Sequence, residues 1–403
     1  MVQHPKSSET IYERVRVIHE LCCVKPLPSL SFWEQQWLKN ADIVIIGSGL
    51  VGLQSARYLK LQWPHREVWV IDRAPVSLGA STRNAGFACF GSIGEILDDI
   101  ERTDEQTAYS LYEMRFRGLQ QLLADFGETG IGYEKTGGYE IFNHNDATEF
   151  DKIAQNIDRV NDALSGITGE KPFQLRNTAK LGMQVLENGV YTPLEGMVQT
   201  HLLYKKIHDA AVASGVKVLG GLTARPPEKL DSGKWRVKTH EGYTFDAQTL
   251  VVCTNGYAAS LLPELQVQPA RGQVLVTSAI PGLAWRGLMH ADKGYIYFRS
   301  LGTRILIGGG RNLDFEGETT QELNTTEGIT QYLLQYLREV VVPGESFEVT
   351  HQWAGTMGMH QNRTPIVKRL DDGLYACVRM GGMGVALSAL VSRELARLVK
   401  ETR

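Results

Sequence analysis

The chain has 403 residues, 43% of them apolar and 22% charged, enough for two or three domains whose cores need no disulfide or metal staple. Forty-two basic residues against 45 acidic ones leave a net charge of −3, which excludes the global charge footprint of a nucleic-acid binder or of a protein drawn to an anionic membrane. No run approaches the ~18 consecutive apolar residues of a spanning helix. The first residues carry charges throughout (Lys6, Glu9, Glu13, Arg14, Arg16, Glu20) instead of a secretory core, so a soluble cytoplasmic protein is expected.

Residues 1–40 read as an irregular N-terminal extension with an inert Cys22-Cys23 pair, punctuated by Pro26 and Pro28 before Ser31-Phe32-Trp33-Glu34. Asp42–Ile46 then forms a β-branched apolar run, the mark of a strand buried on both faces. Gly47-x-Gly49-Leu50-Val51-Gly52 follows, then a helix-permissive stretch to Leu61, and a second buried strand, Val68–Ile71, closing with Asp72. Further along, Glu101–Phe126 and Thr200–Ser214 show helical spacing, Val216–Leu219 reads as a strand, and Asp231-Ser232-Gly233 as a hairpin turn. Leu250–Cys253 is another doubly buried strand, Tyr295–Arg299 and Ile305–Ile307 are strand-like, and Leu374–Cys377 leads through a Gly-rich turn to a C-terminal helix. Parallel-sheet signals at the start, middle and end of the chain predict a domain assembled from separated pieces.

Gly47, Gly49 and Gly52 stand between strand and helix, the context a dinucleotide fingerprint requires: a tight turn, close approach of a pyrophosphate, and close helix–strand packing. Asp72 is placed for a ribose hydroxyl, and Arg73 as the lone nearby base disfavours NADP. Three other segments select a flavin over NAD: the small and hydroxylated Gly79–Gly86 loop, Thr254-Asn255-Gly256 at the end of the central strand, and Met380–Val385, a nest before a helix.

The segments Asp42–Gly52, Val70–Asp72, Gly79–Gly86, Leu250–Tyr257, Ile305–Gly309, Trp353–Pro365 and Tyr375–Leu387 resemble, in order, the D-amino-acid-oxidase-like family of FAD-dependent oxidoreductases. That family includes glycine, sarcosine and γ-glutamylputrescine oxidases. Ser31–Glu34, Arg83-Asn84-x-Gly86 and Asn362-Arg363-x-Pro365 are most similar to the γ-glutamylputrescine oxidase branch. The resemblance implies an α/β fold with an FAD-binding Rossmann-like (glutathione-reductase-type) domain at 41–100, 196–262 and 345–403. An antiparallel-sheet substrate domain at 101–195 and 263–344 is interleaved with it. It also implies oxidation of a C–N bond by hydride transfer to FAD, with hydrolysis of the imine. Expected cofactor residues are Gly47, Gly49, Leu50, Val51, Gly52, Asp72, Arg73, Ala80, Ser81, Arg83, Asn84, Ala85, Gly86, Ala224, Thr254, Asn255, Gly256, Gly381, Gly382, Met383, Gly384 and Val385.

Departures from the family pattern carry information. Trp353–Gly358 holds no cysteine for flavin attachment, so FAD is expected to be non-covalent, although Cys89 and Cys377 lie in flavin-adjacent segments. The position matching the family's oxygen-activating lysine is Leu306, which leaves oxygen and another acceptor both open. Met357 occupies the carboxylate-clamp position, and Gly381-Gly382-Met383 lacks a second arginine, which favours an amine over an α-amino acid. Tyr295 and Tyr297, two apart on a strand, are expected to share a face and orient the substrate amine. Arg299 and Arg311 could receive an acidic tail, although solvation at the surface suits either one as well. His360 is a candidate base. The histidines show no metal-ligand spacing. A flavin dehydrogenase of a 2-hydroxy acid, and a flavin-binding subunit with little activity of its own, are the alternatives.

Overall fold

A computed structural model of the chain describes residues 30–38 and 41–402; the Cys22-Cys23 pair lies outside the described residues. Four apolar runs, Ile43–Ile46, Val68–Ile71, Thr249–Val252 and Leu374–Val378, are strands buried at every position. Such runs have no polar face to show water, so they need layers on both sides. They form the centre of a six-stranded sheet in the order Ile366–Asp371, Leu374–Val378, Thr249–Val252, Ile43–Ile46, Val68–Ile71, Lys217–Leu219. All neighbours are parallel except the Ile366–Asp371 hairpin strand at the edge. Helices Leu50–Gln62, Glu105–Phe126, Thr200–Ala213 and Gly384–Glu401 cover one face. The other lies under a small sheet, Glu228–Lys229, Trp235–Lys238 and Thr244–Ala247, and the Leu261–Val267 segment.

A second sheet has eight strands in the order Val349–Met359, Gln268–Thr277, Arg304–Gly309, Ile296–Leu301, Leu288–Ala291, Gly138–Glu140, Asn188–Thr192, Gln174–Asn177. It is antiparallel except where Leu288–Ala291 runs parallel to Gly138–Glu140, a mixed junction that the expected all-antiparallel sheet lacks. One face packs on helix Glu327–Tyr336. The opposite face meets the Ala85–Phe87 segment through Val274, Val276, Leu306 and Trp353, so the two sheets touch at the loop that follows the acid-bearing strand.

Three local expectations change. The helix expected over Glu101–Phe126 is two, Ile93–Arg102 and Glu105–Phe126, because Asp104 accepts from Thr107 N at 2.8 Å and starts a new helix. Within the extension, Phe32–Trp37 is helical, started by a reciprocal Ser31–Glu34 capping box. Tyr295 precedes its strand: Asp292 and Lys293 take positive φ in a tight turn that leaves Tyr295 at φ −73°, ψ −19°. The alternation therefore begins only at Ile296, and Tyr295 and Tyr297 do not share a face. Among the described residues no helix is long and apolar enough to cross a membrane.

Candidate active site

The Gly47–Gly52 turn is built without room for side chains. Gly47 sits at φ +110°, and a Cβ there would lie 2.8 Å from the Cys253 carbonyl oxygen. A Cβ on Gly52 would run into the Gly47 carbonyl oxygen. Gly49 caps the 13-residue helix Leu50–Gln62 without a side chain. Ser81, from the next loop, reaches across so that its Oγ accepts from Leu50 N at 2.9 Å. Val51 lends its carbonyl to Ser392 Oγ at 3.0 Å, pinning this helix to the C-terminal one. Asp72 accepts from Ser48 N (2.7 Å), Ser48 Oγ (2.8 Å) and Ala74 N (3.0 Å). A carboxylate has about four acceptor sites, so capacity remains for one more donor. The Asp72 carbonyl receives Leu222 N at 2.8 Å, which brings Ala224 near by, bridged to Thr239. Arg73 is exposed and stacks on the Tyr257 ring, 3.8 Å from its centroid.

The remaining cofactor candidates converge on one seam. Asn255, at φ +47°, accepts on Oδ1 from Arg379 N (3.0 Å) and Met380 N (3.1 Å), fastening the end of the central strand to the C-terminal turn. That turn runs through Arg379, Gly381 and Gly382, all at positive φ, into the 18-residue helix Gly384–Glu401, whose cap Met383 offers no side-chain acceptor. The first N–H groups of this helix are thus free for an anion or a carbonyl. Buried Val385 sits in its first turn. Gly256 packs under Met357, where a Cβ would lie 2.5 Å from the Met357 carbonyl oxygen. On the other side, Arg83 Nη1 donates to the Ala354 carbonyl (2.8 Å) while Trp353 Nε1 donates to the Arg83 carbonyl (2.9 Å). Asn84 donates to the Ala80 and Ser81 carbonyls within its loop, and its Oδ1 accepts from Gly86 N at 2.9 Å and from Thr200 Oγ1 at 3.0 Å.

Tyr297 and Met357 face this seam. The Tyr297 hydroxyl lies 3.8 Å from where a Gly272 Cβ would stand, and the Met357 thioether reaches toward Gly272 and Gly382. Burial pushes the Tyr297 hydroxyl up to about 12, so it stays protonated at neutral pH. Tyr295 packs edge-on against Phe315, at 5.8 Å. His360 accepts from Asn362 N on Nδ1 at 3.3 Å, within a turn. Arg311 stacks over Phe315 at 4.8 Å, and burial lowers its pKa. Arg299 is not a surface group: it is 3% exposed, and its Nη1 donates to the carbonyls of Val198 (3.1 Å) and Gly86 (3.3 Å).

Local spacing hid two buried clusters. Glu195 and His290 pair at 3.1 Å, and their ligand-type atoms lie with Cys89 Sγ within 4.8 Å of one another. Glu195 also accepts from Phe90 N at 2.9 Å, so this carboxylate already serves the fold. Arg363, from the Asn362-Arg363-x-Pro365 motif, is held among Asp98 (3.2 Å), Asp99 (3.3 Å) and Glu95 (3.8 Å). A surface cleft of about 370 Å³ between Ile93–Arg102 and Ala147–Thr168 is a separate feature, with Lys152 paired to Glu101 and Lys293 to Glu149 across it.

The residues fit FAD: the side-chain-free turn at Gly47–Gly52 suits a pyrophosphate, the uncapped Gly384 helix suits a flavin carbonyl, and buried Thr254 Oγ1 lacks a partner in the seam. Comparison with known proteins agrees. The chain is 25% identical over 375 residues to a probable oxidoreductase, OrdL, of Rhizobium meliloti, covering 89% of this chain and 83% of the relative. It is 22% identical to the γ-glutamylputrescine oxidoreductase of Escherichia coli, over 90% of this chain and 84% of that one. The glycine oxidase structure from Bacillus cereus superposes with a TM-score of 0.71 at 19% identity, over 90% of this chain and 96% of that one, a likeness of fold. A model of the DAO family, described as FAD dependent oxidoreductase, matches residues 42–398, and the chain belongs to that family.

Proposed function

We propose that the chain oxidises the C–N bond of an amine or amino acid, with FAD bound non-covalently as the acceptor of a hydride. Gly47, Gly49, Gly52 and the Leu50 helix terminus would hold the pyrophosphate and Asp72 the ribose. Ser81, Arg83, Thr254 and the Gly381–Gly384 turn would surround the ring. Bound there, FAD supplies the two-electron acceptor that the side chains lack. Cys89, Cys253 and Cys377 are buried thiols whose pKa values burial raises, which disfavours the thiolate that covalent attachment needs.

The observation that carries the substrate reading is the uncharged wall at Met357, seated toward Gly272 and Gly382 with the neutral Tyr297 hydroxyl close by. Such a wall suits an uncharged amine, which Tyr297 can orient by hydrogen bonding. Hydride leaves the carbon with the C–H electron pair, the nitrogen lone pair completes the C=N bond, and water hydrolyses the product. No step needs His360 as a base. The similarity to proteins named for γ-glutamylputrescine and glycine oxidation supports the same class.

The test is anaerobic titration of the FAD-loaded protein with polyamines, N-substituted amines, amino acids and 2-hydroxy acids, following the visible flavin band. Bleaching by an amine or amino acid is expected. Bleaching by hydroxy acids alone would overturn the substrate class, and a stable flavin band under every compound would point to a binding subunit.

A further inference from the structure

Arg299 carries a charge that the described residues do not neutralise. It lies on Ile296–Leu301 directly opposite Leu306 in the antiparallel pairing. Around it are Ala85, Val274, Val276 and Leu306, an apolar patch where the large sheet meets the Ala80–Phe87 segment. One nitrogen, Nη1, donates to two carbonyls, while Nε is buried without a partner. Arg115 shares this pattern, with Nη1 on the Phe90 carbonyl at 2.9 Å and Nε without a partner, but Glu95 and Asp99 act on it; Arg271 is forked onto Glu318 at 2.6 and 2.9 Å, and Arg363 has three carboxylates. The acid that acts on Arg299 from a distance, Glu134, is itself paired with Arg286.

Burial lowers the pKa of Arg299 to about 10, so it remains a cation at neutral pH. A buried, unpaired ion costs several kcal/mol in a fold, and in an apolar patch its field is weakly screened. Both of its hydrogen bonds, from Nη1, go to the Gly86 and Val198 backbone and hold the guanidinium against the Gly86 segment. A charge developing beside Gly86 would still feel it.

We propose that Arg299 is the fixed positive charge that makes the bound flavin easier to reduce. It is a positioning residue that acts through the Gly86 backbone and through space. Transfer of a hydride adds two electrons and one proton to a neutral ring, so the ring gains one negative charge while the substrate carbon is oxidised. The cation offsets that gain. This inference rests on the placement of the flavin beside Ala80–Gly86 proposed above.

The experiment measures the two-electron midpoint potential of FAD-loaded wild type, Arg299→Gln and Arg299→Lys by dye-referenced reductive titration, without substrate. Arg299→Gln is expected to lose at least tenfold in preference for reduced over oxidised FAD, a shift of about 30 mV to more negative potential. Arg299→Lys keeps the charge and is expected to stay within threefold of wild type in that preference. Retained FAD with an unchanged potential in Arg299→Gln overturns the inference and leaves the cofactor seat standing. If Arg299→Gln does not fold, Arg299→Met replaces it. A drop in Arg299→Lys as large as in the neutral variant overturns the inference too, because packing rather than charge would then be the cause. A wild-type chain that takes up no FAD overturns both this inference and the seat.

Discussion

Asn255→Ala is the sharpest single test of how the cofactor seam is held. The substitution removes one acceptor, Oδ1, that serves two backbone donors, Arg379 N at 3.0 Å and Met380 N at 3.1 Å. Met380 is 5% exposed, so water cannot readily replace the lost partner there. Each backbone N–H left unsatisfied costs about 1–3 kcal/mol, with the lower end for the half-buried Arg379. A second penalty comes from the φ of +47° at Asn255, a region that Asn tolerates and Ala adopts at a cost of roughly 1 kcal/mol. The sum is roughly 3–5 kcal/mol. Two further variants separate the terms. Asn255→Gly removes the bonds and keeps the conformation, and should lose roughly 2–4 kcal/mol. Asn255→Asp keeps an acceptor and tolerates the conformation, and should fall within about 1 kcal/mol of wild type.

Urea unfolding of the FAD-free chain reads these differences directly, and FAD titration of the folded variants reads the seam. Because Asn255 also holds Arg379 at its own positive φ of 67°, just before Gly381 and Gly382, FAD affinity should fall at least tenfold in the Ala variant. An Ala variant within about 0.5 kcal/mol of wild type would refute the reasoning, as would an Asp variant damaged as much as Ala, since shared acceptance at Oδ1 is the larger part of the expected loss.

Three other expectations follow from buried contacts. Burial opposes the charge on His290, but Glu195 at 3.1 Å, with Glu95 and Glu140 behind it, outweighs burial and raises the pKa from 6.5 to about 9. A raised pKa means stability fully present below pH 6.5 and lost as pH climbs through 9; the loss, on the order of 3 kcal/mol, should appear in urea midpoints across that window and flatten in His290→Gln. Glu318→Gln should cost about 3–5 kcal/mol by leaving Arg271 buried against a neutral amide, unless denaturation shows the pair to be replaceable. Gly118→Ala should cost about 1–3 kcal/mol, because its Cβ would press on the Ala386 carbonyl where Glu105–Phe126 crosses the C-terminal helix; an unchanged melting point would mean that the helices can part there.

The parts of this protein that a reader of the sequence can see are those whose cause is local. Ile43–Ile46 is apolar at every position and Gly47, Gly49 and Gly52 stand at fixed offsets after it, so strand, turn and helix follow from neighbours in the chain. What stayed hidden depends on partners far away. Asn255 is marked by its place at the end of the central strand, but its role as a clamp appears only when Arg379 and Met380, more than 120 residues on, present their N–H groups to it. Glu195 and His290 have no spacing that marks them, because separate segments bring them together. The misreading of Tyr295 has a different origin. Two residues before it, Lys293 adopts φ 51° without being glycine, and period-two counting cannot register a turn that composition does not announce. Arg299 stays ambiguous in the sequence for the converse reason: a charged residue on a strand suits solvent as well as a ligand until the Gly86 segment is laid over it.

The long-range ties also bear on why cofactor and substrate sides should behave as one unit. Arg83 Nη1 donates to the Ala354 carbonyl at 2.8 Å and Trp353 Nε1 donates to the Arg83 carbonyl at 2.9 Å, across the join between the Gly79–Gly86 loop and the longest strand of the large sheet. Arg299 adds a third tie from the same sheet to Gly86. A ligand that binds only the folded arrangement stabilises everything whose unfolding would disrupt its seat. Because the proposed seat is tied to the large sheet at three points, neither sheet should open fully while Ala80–Gly86 stays in place. FAD should therefore raise the unfolding midpoints of both sheets together, giving one transition when it is bound. Tryptophan fluorescence, reporting on Trp69 in the parallel sheet and Trp285 and Trp353 at the large one, should coincide with the far-ultraviolet signal in the loaded protein. If the large sheet unfolds first while FAD remains bound, the three ties contribute too little to couple the halves, and the flavin environment is set by the parallel sheet alone.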